Sequence, residues 1–312
     1  MSPVESWLRQ LHEEKGSDLF LTAGAPPCIK VNGKIRAVST EVLLADEVDE
    51  IVRSVMSERQ EKEFEDTNEC QFAIALEEEV RFRVSAFCQQ GFTGMVCRRI
   101  ETKIPTFEEL GLPEMLSDLS LAKRGIILFV GATGTGKSTS MAAMMGYRNK
   151  RMSGHIITIE DPIEYVHFHN KSLITQREVG VDTESFEVGL RNTLRQAPDV
   201  IMIGEIRTQE SMEHAITFAE TGHLVLCTLH ANNANQALDR ILHFFPEDAK
   251  EQVLLDLSFN MKAIVAQQLL PSTDGTRRWA AIEILLATPL VSEKIRNGEI
   301  SELKSIMKDS GH

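Results

Sequence analysis

The sequence lacks any apolar run long enough to cross a bilayer, and its opening "MSPVESWLRQLHEEKGSDL" has neither the basic start nor the apolar centre of a secretory signal. Both absences predict a protein that stays in the cytoplasm. Cysteine is scarce and unpaired. Cys28, Cys70, Cys88, Cys97 and Cys227 are scattered, odd in number and never in a C-x-x-C pair, which excludes a disulfide framework and a structural zinc site. They read as reduced and structural. Internal repeats and low-complexity tracts are also missing. Positive charge is in deficit, with a formal net charge of −13. An acidic coat repels a phosphate backbone, so nucleic acid is excluded as a substrate. Much of the acid lies early, in "TEVLLADEVDEIV" and "ERQEKEFEDTNE", and reads as solvated helix faces.

What is present divides into two textures. At 312 residues and 42% hydrophobic content, the chain has the size of two domains. In "DLFLTAGAPPCIKVNGKIRAV" short apolar runs are broken by turns, and Asn32-Gly33 suits a tight hairpin with positive φ at both positions. Residues 41–65 place Val48, Ile51, Val52, Val55 and Met56 at helical spacing and predict one amphipathic helix. "VRFRVSAFCQQGFTGMVCRRI" then alternates, with Val80, Phe82, Val84 and Ala86 on one face and Arg81 and Arg83 on the other, predicting two strands. "ETKIPTFEELGLPEML", with Pro105, Gly111 and Pro113, reads as a linker over 101–115 between domains at 1–100 and 116–312. Beyond it, "GIILFV", "HIITIE", "VIMIGE", "LVLCTLH" and "AAIEILL" are nearly continuous apolar runs, each followed by a helical segment. That pattern predicts a parallel sheet covered on both faces.

Residues 131–138, "GATGTGKS", match G-x-x-x-x-G-K-[ST] between a buried strand and a helix, the setting a phosphate loop requires. Gly131, Gly134 and Gly136, with Thr133, Thr135 and Thr139, would bring backbone and hydroxyl groups to the phosphates at a helix N-terminus. Lys137 would pair with β- and γ-phosphate oxygens of ATP, and Ser138 would ligate Mg²⁺.

A phosphate loop alone does not separate kinase, switch and motor, so the neighbouring acids carry the rest. In "HIITIEDPIEYV", Glu160, Asp161 and Glu164 follow an apolar strand, where open α/β sheets place ligand groups; an acidic loop capping a sheet edge has the same pattern. In "APDVIMIGEIR", the strand delivers Glu205 at its carboxyl end, the position from which a Walker B acid holds the Mg²⁺ shell, with Arg207 two residues on. In "TGHLVLCTLHAN", His230 ends a third strand, where it can sense the γ-phosphate, whereas His223 suits packing or a site role equally. The histidine spacing does not fit an H-E-x-x-H zinc helix.

In this order, the phosphate loop, the "IEDPIE" acid box, the "GE" Walker B variant and the "GHLVLCTLHANNA" histidine box resemble the type II/IV secretion ATPase superfamily. More closely, the chain looks like the PilT/PilU pilus retraction ATPases. "GSDLFLTAGAPPCIKVNGKIRAV" is similar to the start of their N-terminal domain, and "LRQAPDVIMIGEIRT" and "HANNANQALDRI" look most like the PilU branch. The resemblance implies an α/β fold, with a RecA-like P-loop ATPase domain preceded by a smaller α+β PAS-like domain. It implies a homo-hexameric ring at the cytoplasmic face of the inner membrane, meeting the membrane only through a pilus platform protein and working beside a PilT-like motor. It also implies roles: Glu164 as general base, Glu205 as Walker B acid, His230 as γ-phosphate sensor, and Arg81 and Arg98 as fingers completing a neighbour's site.

Several positions depart from the pattern. Gly91 stands where PilT proteins tend to carry a further arginine, and the retraction signature AIRNLIRE is replaced by "LVSEKIRNGEI", which weakens independent retraction and agrees with the PilU branch. The family continues with C-terminal helices beyond "MKDSGH", so those helices are missing here or the tail is short. An extension or secretion ATPase of the same superfamily usually carries a four-cysteine zinc module, but this chain has one cysteine after residue 100. A coupling subunit that assists PilT with little turnover is the other alternative. A kinase or DNA translocase finds no support in the motifs or the charge.

Overall fold

The computed structural model describes residues 3–77, 80–273 and 278–309. The chain divides after Thr102 into two units. The first contains α1 (Pro3–Glu13), β1 (Asp18–Thr22), β2 (Cys28–Val31), β3 (Lys34–Ala37), α2 (Ala45–Arg53), α3 (Glu58–Thr67), β4 (Glu69–Glu77), β5 (Val80–Gln89) and β6 (Phe92–Ile100). Its strands form a six-stranded antiparallel sheet in the order β3-β2-β1-β6-β5-β4. The helices cover one face. Val4, Leu8 and Leu11 of α1, Val48 and Val52 of α2, and Phe64 of α3 are buried with Leu19, Ile29, Phe72, Phe82, Val84, Met95 and Cys97. The period-two pattern sets this side: Phe82, Val84 and Ala86 are buried, while Arg81 and Arg83 take the opposite face.

The hairpin at Asn32-Gly33 has φ of 51° and 78°, as its residue types predict, and joins β2 to β3. The helix expected over 41–65 is instead two. Ser57 caps α3, its Oγ accepting from Gln60 N while the Gln60 side chain accepts from Ser57 N. This capping box starts a new helix just past Met56, where the apolar positions at helical spacing end. Strand β4 follows from alternation in "ECQFAIALE" that sequence reading passes over. Of the cysteines, Cys70, Cys97 and Cys227 are buried, and burial pushes the Cys97 and Cys227 thiols up to about 12; Cys88 is exposed.

The second unit contains α4 (Phe107–Leu110), α5 (Met115–Ser120), β7 (Gly125–Val130), α6 (Lys137–Arg151), β8 (Gly154–Glu160), β9 (Ser172–Glu178), α7 (Phe186–Thr193), β10 (Val200–Ile203), α8 (Gln209–Glu220), β11 (Leu224–Leu229), α9 (Ala234–His243), α10 (Lys250–Asn260), β12 (Met261–Pro271), β13 (Arg278–Leu286), α11 (Pro289–Arg296) and α12 (Leu303–Asp309). Its seven-stranded sheet runs β13-β12-β7-β11-β10-β8-β9. All pairs are parallel except β12 with β13. Alternate residues of β7 enter opposite layers: Ile126, Leu128 and Val130 pack with α8, α9 and α10, while Ile127 and Phe129 pack with α5 and α6. A strand buried on both faces leaves no polar face, which is why these runs read as continuously apolar.

The segment read as a linker carries α4 and the start of α5. Phe107 meets Tyr147 of α6 edge-on, with ring centroids 5.1 Å apart, and Leu112 and Leu116 are buried. Two strands escape the apolar-run rule, because β9 carries Gln176 and Arg177, and β12 carries Gln267 and Gln268. Strand β13, expected among the parallel strands, is an antiparallel edge strand. Strand β8 leads through the non-helical stretch 161–171 into β9 rather than into a helix.

Candidate active site

The parallel strands carry their following loops to one edge of the sheet. The phosphate loop follows β7, Gly204 and Glu205 follow β10, His230 follows β11, and the acid box follows β8. The loop enters α6 at Lys137, so Ser138 and Thr139 occupy its first turn. Its glycines are required by contact as well as by φ. A Cβ on Gly131 would lie 2.5 Å from Gln267 O, and one on Gly136, where φ is 85°, would lie 2.9 Å from Gln267 Nε2. Gln267 braces the loop from β12. It is 2% exposed, its Nε2 donates to Thr135 O at 2.9 Å, and its Oε1 accepts from Ser140 Oγ at 2.8 Å.

Lys137 Nζ donates to Gly131 O and Ala132 O, both at 2.8 Å, which sets the ammonium inside the loop. Burial pushes its pKa down, and the carboxylates of Glu205 and Glu164 pull it back up, so both acids lie within electrostatic reach of the lysine. Glu205 is held from two sides. Its Oε1 is 2.9 Å from His230 Nε2, and its Oε2 accepts from Arg207 Nε at 2.7 Å. Arg207 also reaches Asp161 Oδ2 at 3.4 Å, which links the turn after β10 to the acid box; the bond to Glu205 raises its pKa.

The acid box separates into unlike groups. Glu160 ends β8 and is 6% exposed, so it is a buried carboxyl rather than a loop residue. Burial pushes it up to about 7, opposed by hydrogen bonds from Thr158 Oγ1 at 2.7 Å and Gln176 Nε2 at 3.1 Å. Glu164, by contrast, is exposed. Gly204 sits so close to β8 that an added Cβ would lie 3.2 Å from Glu160 Cα, which lets the turn after β10 pass the acid box.

The structure therefore brings together Lys137, Glu205, His230 and Glu164, each in the segment that follows a parallel strand. Arg81 and Arg98 stand on the sheet of the first unit. Arg81 is exposed, and Arg98 pairs across the strands with Arg83 while its Nε donates to Asp18 Oδ1 at 2.8 Å. His223 is a packing residue: its Nδ1 lies 3.0 Å from Phe218 O and 3.1 Å from Thr221 Oγ1, closing the end of α8. Sequence reading gives no role to Arg207, Gln267 or Gln176. The available signal is a polar side chain inside an apolar strand, as in "KAIVAQQLL".

A glycine loop that a Cβ would obstruct, an ammonium within it, and a serine at the following helix N-terminus suit a nucleotide's phosphates. Ser138, in the first turn of α6, and Glu205, within electrostatic reach of Lys137, carry oxygens of the kind Mg²⁺ takes. Among the described residues, no helix is long and apolar enough to cross a membrane.

Known proteins show the same arrangement. The chain is 62% identical over 306 residues to the type IV pilus ATPase PilU of Pseudomonas aeruginosa, covering 98% of this chain and 80% of that one. It is 40% identical over 299 residues to the PilT retraction ATPase of the same organism, covering 96% and 87%. The crystal structure of the pilus retraction motor PilT with bound ADP superposes with a TM-score of 0.93 at 40% identity, over 99% of this chain and 90% of that one. These likenesses span both units, and the fold is accordingly a RecA-like P-loop ATPase domain preceded by a smaller PAS-like domain. The model of the family described as "Type II/IV secretion system protein" matches residues 4–284, and the chain belongs to that family.

Proposed function

We propose that this protein is an ATP-hydrolysing subunit that drives or assists type IV pilus retraction in the manner of PilU. The observation that carries this reading is the convergence of Lys137, the Glu205–His230 pair and Glu164 on one sheet edge. Gly131 to Thr139 bind the phosphates, with Lys137 neutralising β- and γ-oxygens. Mg²⁺ bound with ATP supplies further charge neutralisation at those oxygens, and Ser138 and Glu205 would hold it. Glu164, exposed and free to meet solvent, orients the attacking water and accepts its proton. His230, bonded to Glu205, turns a change at the γ-phosphate into a shift of α9, which begins four residues later at Ala234.

Assembly as a homo-hexamer would let Arg81 and Arg98 of one subunit complete a neighbour's site, so that turnover depends on ring formation. Partners of this reading are a PilT-like motor and a pilus platform protein, which place the ring at the cytoplasmic face of the inner membrane. The test is Mg-ATP hydrolysis by the full chain over a range of protein concentrations. Glu164→Gln should retain ADP binding and lose roughly 10²- to 10⁴-fold in rate. Wild-type turnover by that variant refutes Glu164 as the base.

A further inference from the structure

The acid-box loop is fixed to its own strand neighbours through its backbone. Tyr165 O accepts from Gln176 Nε2 at 2.8 Å, His167 N donates to Gln176 Oε1 at 2.7 Å, and Ile163 N donates to Glu178 Oε2 at 3.0 Å. Gln176 in turn bonds the buried Glu160. These contacts tie residues 163–167 to β8 and β9, but none reaches the phosphate loop. The hydroxyl of Tyr165 reaches the helix that follows the phosphate loop: it lies 3.0 Å from Thr139 Oγ1, in the first turn of α6. Tyr165 is the residue after Glu164, and Thr139 is the residue after Ser138.

We propose that Tyr165 is a positioning residue: its hydroxyl ties the acid-box loop to the first turn of α6 and so fixes Glu164 relative to the bound phosphates. The inference rests on the reading of Glu164 as the general base. Tyrosine suits the role, because its rigid ring spans the gap with few rotatable bonds and its hydroxyl can donate or accept. A nucleotide that orders Ser138 and Thr139 also orders Thr139 Oγ1, so the same bond carries occupancy of the loop to Glu164. The bond acts on the water-activating group and not on the phosphates. Its loss therefore lowers kcat and leaves nucleotide binding alone.

Tyr165→Phe removes one oxygen and keeps the ring. With the full chain, kcat for Mg-ATP hydrolysis should fall about tenfold while KM and ADP affinity stay within about twofold, since small displacements of a reacting group cost rate rather than affinity. In a Thr139→Ala background, Tyr165→Phe should lower kcat no further, because the partner is already gone. A kcat within about twofold of wild type, an equal loss in both backgrounds, or a rise in KM without a fall in kcat overturns the proposal. Glu164→Gln, assayed in parallel, separates the two ideas. If it is inactive while Tyr165→Phe is normal, only the positioning role fails; if it is active, the reading of the base fails and the role of Tyr165 with it.

Discussion

Replacing Gln267 with methionine tests whether β12 holds the phosphate loop in shape. Methionine nearly conserves the volume of the side chain, so the substitution leaves little cavity and its effect is that of the lost hydrogen bonds. Two partners are affected. Ser140 Oγ, in a residue 1% exposed, loses its acceptor, and Thr135 O loses a donor at 2.9 Å. A buried polar group left without a partner costs about 1–3 kcal/mol. Thr135 is only half-buried, so its carbonyl can turn to water, and the expected loss is about 2 kcal/mol, mostly from Ser140. For a domain of this size that corresponds to a fall of about 4–8 °C in Tm. Thermal melts with and without saturating ADP provide the assay. The apo Tm should fall, and the rise produced by ADP should shrink, because the loop no longer holds the shape that binds phosphate. An apo Tm within about 1 °C of wild type, together with an undiminished ADP shift, would refute the argument.

The remaining expectations concern the loop glycine and the buried histidine. Gly136→Ala places a β-carbon 2.9 Å from Gln267 Nε2 at a φ of 85°, so ADP affinity measured by fluorescent-nucleotide titration should drop at least about tenfold; unchanged affinity would show that the loop tolerates the strain. His167 is buried with Nε2 lacking a hydrogen-bond partner, and burial pushes its pKa from 6.5 down to about 4. Because the folded state disfavours the charged ring, the stability this group permits is complete above pH 6.5 and is lost as pH falls toward 4. Urea melts at several pH values should therefore show a slope between 6.5 and 4 that His167→Phe flattens, and an identical slope in the variant would contradict it.

Much of the site is legible locally. The phosphate loop is a contiguous motif, and Glu205 and His230 are marked by the end of an apolar run, since a strand buried on both faces turns polar only where it leaves the sheet. The helix over 41–65 fails for an equally local reason: the apolar positions at helical spacing stop at Met56, and the capping box at Ser57 starts a separate, mostly polar helix in which Phe64 alone is buried. Glu160 misleads because it follows an apolar run like its neighbours, yet it remains within β8 and is buried among Thr158 and Gln176.

The sequence by itself determined the features set by near neighbours: the nucleotide loop, the apolar strands, the turn at Asn32-Gly33 and the two textures of the chain. Only the tertiary structure decided the strand order. Placing β11 between β7 and β10 sets His230 against Glu205, and seating β12 beside β7 puts Gln267 under a loop 132 residues from it at Thr135. Helical and turn propensities act over a few residues, whereas such pairings are selected by the packing of whole layers, which no local pattern encodes.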